Sequence, residues 1–230
     1  MISDEHETKY LSIDHASVPV WIYGDPKKPL IYFIHGYFRG FSDYIGDLPM
    51  RYLMKNYCIM AFDLPGFGQL KDFEKERVKF IAEVIEATSN GRRFVLFGTS
   101  YGGLLSLKYF YNYPDRVKGI IIAGMPYLIG LRRIAHVSRA PLLNKLRLSK
   151  VIKEFSFLNK DNLSKVNVPV LLLYSSKDKQ AGIKMGNKLN KLIPKSEIVT
   201  SSKYNHSWLL HRIDESGFLG EIEKFIKSLK

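Results

Sequence analysis

Gly98, Thr99, Ser100, Tyr101 and Gly102 place one serine between two glycines at the spacing G-x-S-x-G. An apolar run, 94–97, leads into it, and 104–111 beyond it has helical apolar spacing. A strand turning sharply into a helix would hold the serine under strain with its hydroxyl exposed. Side chains at the flanking glycine positions would collide with the neighbouring strand and helix. A serine hydroxyl is a weak nucleophile at neutral pH and needs a base within hydrogen-bond reach. Histidine suits that task because its unperturbed pKa lies near ~6.5. Six histidines are available: His6, His15, His35, His136, His206 and His211.

Such a serine needs a rigid frame, and the hydrophobic pattern supplies one. Stretches 30–34, 57–62, 94–97 and 168–174 are continuous apolar runs, and 117–123 is apolar but for Lys118, as expected for strands buried on both faces. Two short strands at 9–13 and 18–23, with a turn at 15–17, precede them. A last strand is expected at 197–200. Helical spacing marks 47–55, 73–89, 104–111 and 215–228, and Asn90 with Gly91 ends the second of these. Buried strands alternating with helices predict an α/β fold with a mostly parallel sheet between helical layers. The stretch 127–165 breaks the alternation. It is helical in pattern, and its basic residues include Arg132, Arg133, Arg139 and Lys153, so it reads as an insertion within a single domain, 1–230.

With those elements placed, the chain resembles the α/β-hydrolase family over nearly its whole length. His35, Gly36 and Tyr37 resemble the family's oxyanion loop, and Asp63 to Gly68 its D-x-x-G-x-G turn. Tyr113 to Val117 resemble its Y-P-[ED]-R-V stretch. Asp178 follows a buried strand as the family's acid does, and Asn205, His206 and Ser207 match its histidine loop. The resemblance implies Ser100 as nucleophile, His206 as base and Asp178 as the carboxylate that orients the imidazole, in the chain order associated with this fold. It also implies an oxyanion hole formed by the backbone N–H groups of Tyr37 and Tyr101. His35 is then expected to brace its loop, Asp63 to organise a turn, and Cys58 to be inert core. Three residues depart from the pattern: Leu70, Ser175 and Asn205 stand where serine, glycine and glycine are common.

Serine at the turn excludes the aspartate-based dehalogenase and epoxide-hydrolase chemistries of this fold and suits acyl transfer. Carboxylic ester hydrolysis through an acyl-enzyme on Ser100 is the leading expectation, carboxylesterase-like in character. Acyl-CoA or other thioester cleavage is the alternative, and a non-catalytic ligand-binding role is a third. No cofactor or metal is implied, because the chain has neither a metal-ligand cluster nor a phosphate-binding G-x-x-x-x-G-K. The insertion would overlie the carboxyl ends of the strands and line an acyl pocket with residues such as Leu128, Ile134 and Leu142.

Composition narrows the remaining choices. Hydrophobic residues make up 46% and charged residues 25% of the 230, ordinary for a globular protein. Lys and Arg number 35 against 22 Asp and Glu, a formal net charge of +13. A basic surface favours anionic partners, but net charge alone speaks to solubility and association. No recognition motif accompanies it, so no nucleic-acid partner is expected. No apolar run approaches the roughly 18 residues of a membrane span. The polar start, with Asp4, Glu5 and Glu7, and the single Cys58 lead to the expectation of a cytoplasmic protein acting on a small acyl ester or thioester.

Overall fold

The computed structural model describes residues 6–37, 40–42, 50–126, 153–203, 205–206 and 217–229, with backbone alone at 50 and 51. One eight-stranded sheet organises them, in the order β1-β2-β4-β3-β5-β6-β7-β8. β1 (His6–Ile13) and β2 (Ala16–Tyr23) form an antiparallel hairpin, and β2 pairs antiparallel with β4 (Cys58–Phe62). From β4 onward the pairs are parallel: β3 (Leu30–Ile34), β5 (Phe94–Thr99), β6 (Val117–Ala123), β7 (Val170–Ser175) and β8 (Ser196–Ser201). This is the α/β-hydrolase architecture that the sequence predicts.

Every residue of β3, β4, β5 and β7 is buried because helices cover both faces of the sheet. Alternation divides the core into two layers. Tyr32, Ile34, Ile120, Ile122, Leu172 and Tyr174 pack on one face with α2 (Arg77–Ser89), α3 (Tyr101–Asn112), the short α4 (Lys160–Leu163) and α5 (Ile183–Leu192). Ile31, Phe33, Ile121, Leu171 and Leu173 pack on the other with α1 (Met50–Leu53) and α6 (Phe218–Ser228). Each fully buried aliphatic or aromatic side chain contributes about 1.5–3 kcal/mol relative to exposure. The sheet is therefore a rigid platform for groups at its carboxyl edge.

Several boundaries differ from expectation for local reasons. The hairpin turn is Asp14 and His15, one residue earlier than expected, with Asp14 at φ 51. α2 begins at Arg77 rather than 73, because the Glu76 carboxylate caps it by accepting from the N–H groups of Val78 and Lys79. Phe73 is buried in the approach to the helix instead. α3 starts at Tyr101, three residues before the apolar spacing does, and α5 has no counterpart in the sequence reading. The expected helix at 47–55 is observed only as α1, and its first residues lie outside the described ones. Residues 127–152 of the expected insertion also lie outside them. Its remainder holds a 3-10 turn at Phe155–Phe157 and then α4.

Candidate active site

β5 delivers Ser100 to the carboxyl edge of the sheet, and α3 departs immediately after it. Ser100 sits at φ 50 and ψ −114, one of three non-glycine residues with positive φ among the described residues. The position is held from several sides. Ser100 N–H donates to Ala123 O at 2.8 Å, tying the turn to the end of β6. A Cβ at Gly98 would lie 2.4 Å from Gly102 O, and one at Gly102 would lie 2.0 Å from Ile34 O. Both glycines of the pentapeptide are therefore demanded by backbone approaching backbone.

Asp178 stands in the turn after β7. The hydroxyl of Ser175 accepts from Lys177 N–H at 3.2 Å, so the serine found where glycine is common itself stabilises the turn. Asp178 Oδ1 accepts from the N–H groups of Gln180 and Ala181, each at 2.8 Å. Its other oxygen, Oδ2, accepts from His206 Nδ1 at 2.7 Å. His206 Nε2 faces Ser100 Oγ at 3.2 Å and can accept its proton. These partners fix the tautomer, since a carboxylate can only accept. The Asp178 side chain is fully shielded, whereas the imidazole keeps 17% exposure, enough for substrate and water to reach it. Gly124, at φ 61, forms the floor: a Cβ there would lie 3.3 Å from Asp178 Oδ2 and 3.4 Å from His206 Nδ1. The next residue, Met125, accepts through its carbonyl from Tyr174 O–H at 2.6 Å. Burial, with the Asp178 charge nearby, pushes that phenol far above its ordinary pKa.

The loop after β3 runs against the nucleophile, where a Cβ on Gly36 would lie 3.4 Å from Ser100 Cβ. His35 is buried beneath it. Its Nδ1 donates to Gly36 O at 2.6 Å, and its Nε2 accepts from Leu64 N–H at 2.9 Å. It therefore braces two loops. Asp63 is a turn device as expected. It accepts from Ser42 N–H and O–H at 2.9 and 2.7 Å and from Gln69 N–H at 2.7 Å. Tyr101 opens α3, so its N–H has no carbonyl one turn earlier in the helix to bond. Tyr37 packs edge-on against the rings of Phe67 and Tyr101.

The sequence reading did not single out Arg77 or Glu154. Arg77 donates through Nε to Pro65 O at 3.2 Å and through Nη1 to the Tyr101 hydroxyl at 3.1 Å, and it lies over the Phe67 ring. The Tyr101 hydroxyl donates to Glu154, which also pairs with Arg77 at 3.7 Å. Burial, and then the adjacent Glu154 charge, raise the Tyr101 pKa strongly. This network joins the residue after Ser100 to the 63–68 turn and to the chain leaving the insertion. Among the other histidines, His6 packs at a tilt against Tyr23 and His15 edge-on against Phe73, while His136 and His211 lie outside the described residues. Cys58 is buried in β4, and burial raises its thiol pKa. Among the described residues, no three His, Cys, Asp or Glu side chains converge to hold a metal ion.

A parallel sheet of this strand order, carrying a serine on a strained strand-to-helix turn with a histidine and a carboxylate in hydrogen-bond sequence, defines the α/β-hydrolase class. A family model described as the alpha/beta hydrolase fold matches residues 29–135, and the chain has that fold. It is 24% identical over 223 residues to the pimeloyl-[acyl-carrier protein] methyl ester esterase of Neisseria meningitidis, covering 77% of this chain and 86% of that protein. It is 33% identical over 104 residues to the human (lyso)-N-acylphosphatidylethanolamine lipase, covering 42% of this chain and 30% of that one. A Caenorhabditis elegans abhydrolase domain-containing protein is matched over only 23% of its length. Among solved structures, the esterase RhEst1 from Rhodococcus superposes with a TM-score of 0.75 at 19% identity, over 98% of this chain and 99% of that one. An esterase from Pyrococcus furiosus gives 0.74 at 13% identity, over 98% and 91%. By name, these relatives include esterases and lipases, hydrolases that act on ester bonds.

Proposed function

We propose that the protein is a serine hydrolase that cleaves carboxylic esters through an acyl-enzyme on Ser100. The observation that carries this reading is the unbroken hydrogen-bond sequence from Ser100 Oγ through the His206 ring to Asp178 Oδ2, at 3.2 and 2.7 Å. Ser100 Oγ attacks the acyl carbonyl while His206 Nε2 takes its proton. Asp178 holds the ring and stabilises the imidazolium. The N–H groups of Tyr101 and Tyr37 receive the developing oxyanion, supported by the helix start at Tyr101 and by the Gly36 loop lying against Ser100. Each such donor contributes about 2.7–4 kcal/mol to barrier lowering in comparable sites. His206 then returns the proton to the leaving alkoxide and later activates the water that releases the acid.

The chain is read as one domain whose insertion, about 127–165, shapes the acyl pocket. Buried Cys58, the only cysteine, supports a reducing, cytoplasmic setting. Ser100→Ala is expected to abolish hydrolysis of a short p-nitrophenyl ester with the fold retained, and a fluorophosphonate is expected to label Ser100. Wild-type turnover in that variant, or labelling at another residue, overturns the assignment. Absence of turnover and labelling in the native chain favours a ligand-binding role instead.

Thioester cleavage is the second reading, favoured by the +13 charge, which would draw an anionic acyl carrier such as CoA. Comparing kcat/KM for matched acyl esters and acyl-CoAs at low and high salt separates the two.

A further inference from the structure

α5 carries Lys184, Lys188 and Lys191 at helical spacing, and Lys195 stands in the turn between α5 and β8. The three helical positions lie at i, i+4 and i+7, so they fall along one side of the helix axis. The opposite side is committed to the sheet. Leu189 is buried, and a Cβ on Gly186 would lie 2.6 Å from the Tyr174 ring, so the helix sits close on β7 and β8. All four lysines are exposed. Lys184 to Lys191 span about 10 Å down the flank of the sheet, at 1.5 Å per residue.

The upper end of this row meets the candidate active site. α5 starts beside the Asp178 turn, where a Cβ on Gly182 would lie 3.1 Å from Asp178 O. Exposed Lys177 and Lys179 flank Asp178, and exposed Lys203 follows β8 at the same carboxyl edge. From 176 to 203 the one exposed carboxylate is Glu197. The charge is therefore concentrated rather than spread evenly, and it reaches the edge that carries Ser100 and His206.

We infer that this lysine face docks on an anionic lipid bilayer, which presents the proposed serine centre to ester-containing amphiphiles held in that surface. The inference rests on the ester-hydrolase reading and extends it to a substrate class. Residue chemistry favours a bilayer over an acidic protein. Protein interfaces rely on aromatic and arginine anchors, and lysine is depleted in them. Among the described residues, this face carries lysine with no arginine or aromatic side chain. The exposed large apolar side chains among the described residues, Tyr10, Tyr52, Tyr111 and Tyr113, lie elsewhere. Compact, well-hydrated ammonium groups on flexible stems suit a diffuse negative surface, which attracts each nearby lysine without shape complementarity. Attraction of this kind is screened by salt.

The test is sedimentation of the full chain with phosphatidylglycerol–phosphatidylcholine vesicles and with phosphatidylcholine vesicles, at low and high salt. Binding is expected to the anionic vesicles alone and to disappear at high salt. The variant Lys184→Gln, Lys188→Gln, Lys191→Gln, Lys195→Gln is expected to lower partitioning by on the order of a thousandfold. It should hydrolyse a soluble p-nitrophenyl ester at the wild-type rate. A second variant, Lys27→Gln, Lys55→Gln, Lys79→Gln, Lys224→Gln, loses the same charge elsewhere and should keep its vesicle binding. Equal loss in both variants, binding to neutral vesicles, or capture by an acidic protein without vesicle binding overturns the inference. Failure of the soluble-ester assay in the native chain would instead overturn the hydrolase reading, so the two failures are distinguishable.

Discussion

Replacing Gly124 by alanine separates the strain in the site's floor from its chemistry. Gly124 occupies φ 61, where an L side chain costs roughly 1–2 kcal/mol. For a chain of this size, that corresponds to a fall in Tm of roughly 2–8 °C. The new methyl would also stand 3.3 Å from Asp178 Oδ2 and 3.4 and 3.5 Å from the His206 Nδ1 and Cε1 atoms. Those atoms must give by a few tenths of an ångström, across a hydrogen bond of 2.7 Å. Because a 1 Å misplacement can cost about a hundredfold in rate, a shift this small should lower kcat roughly three- to tenfold. Gly91→Ala is the control. Gly91 has φ 73 and nothing within 4 Å of a built Cβ, so it carries the backbone cost without the crowding. Thermal melts and p-nitrophenyl ester kinetics on both variants are the assay. Both should lose stability, and only Gly124→Ala should lose kcat. Wild-type kcat in Gly124→Ala, or an equal loss in Gly91→Ala, would refute the reasoning.

Ser100→Gly should raise Tm by about 2–4 °C as the strain at φ 50 is relieved, while ending turnover. Ser100→Ala keeps a Cβ and should show no such gain; an equal gain would remove strain as the cause. Glu154→Gln leaves the Arg77 guanidinium without its carboxylate at a partly shielded position, 12% and 20% exposed. Urea denaturation should show a loss of about 1–2 kcal/mol, between the surface and buried limits. Arg77→Met added to it should cost less than the sum of the two single changes. Burial raises the Tyr109 pKa from 10.0 to about 12 and raises Tyr32 and Tyr174 as well. The neutral phenol is thus favoured in the folded chain. This stability is fully present below pH 10.0 and is lost as pH rises toward about 12. Melts across that range should fall steadily, with tyrosinate absorbance appearing together with unfolding.

The parts of the fold legible in the sequence were those with one dominant signal. β3 to β7 read clearly because burial on both faces leaves almost unbroken apolar runs, interrupted in β6 by Lys118. Ser100, Asp178 and His206 were picked out by local motif and chain order, and the structure sets them in contact. α5 was missed because its buried positions are few: Leu189 and Gly186, among lysines and asparagines. A glycine at its closest contact with Tyr174 looks like a breaker until the packing is known. The first turn of α3 was missed for the same reason, since Gly102 and Gly103 serve close approach there. The Arg77, Tyr101 and Glu154 network was invisible because its members lie 24 and 53 positions apart in no shared pattern. Pairing of β2 with β4 likewise depends on tertiary contact rather than on spacing.

His35 makes one lone pair hold two loops together beneath the nucleophile. Its Nε2 can accept from Leu64 N–H only while it carries a lone pair. A side chain without that lone pair would leave the amide unpaired, and the two loops it clasps would part. The glycine loop beside Ser100 would then drift from the serine even with the relay to Asp178 untouched. Loss of a single acceptor would thus disarm the protein from below the nucleophile, by unlatching its scaffold.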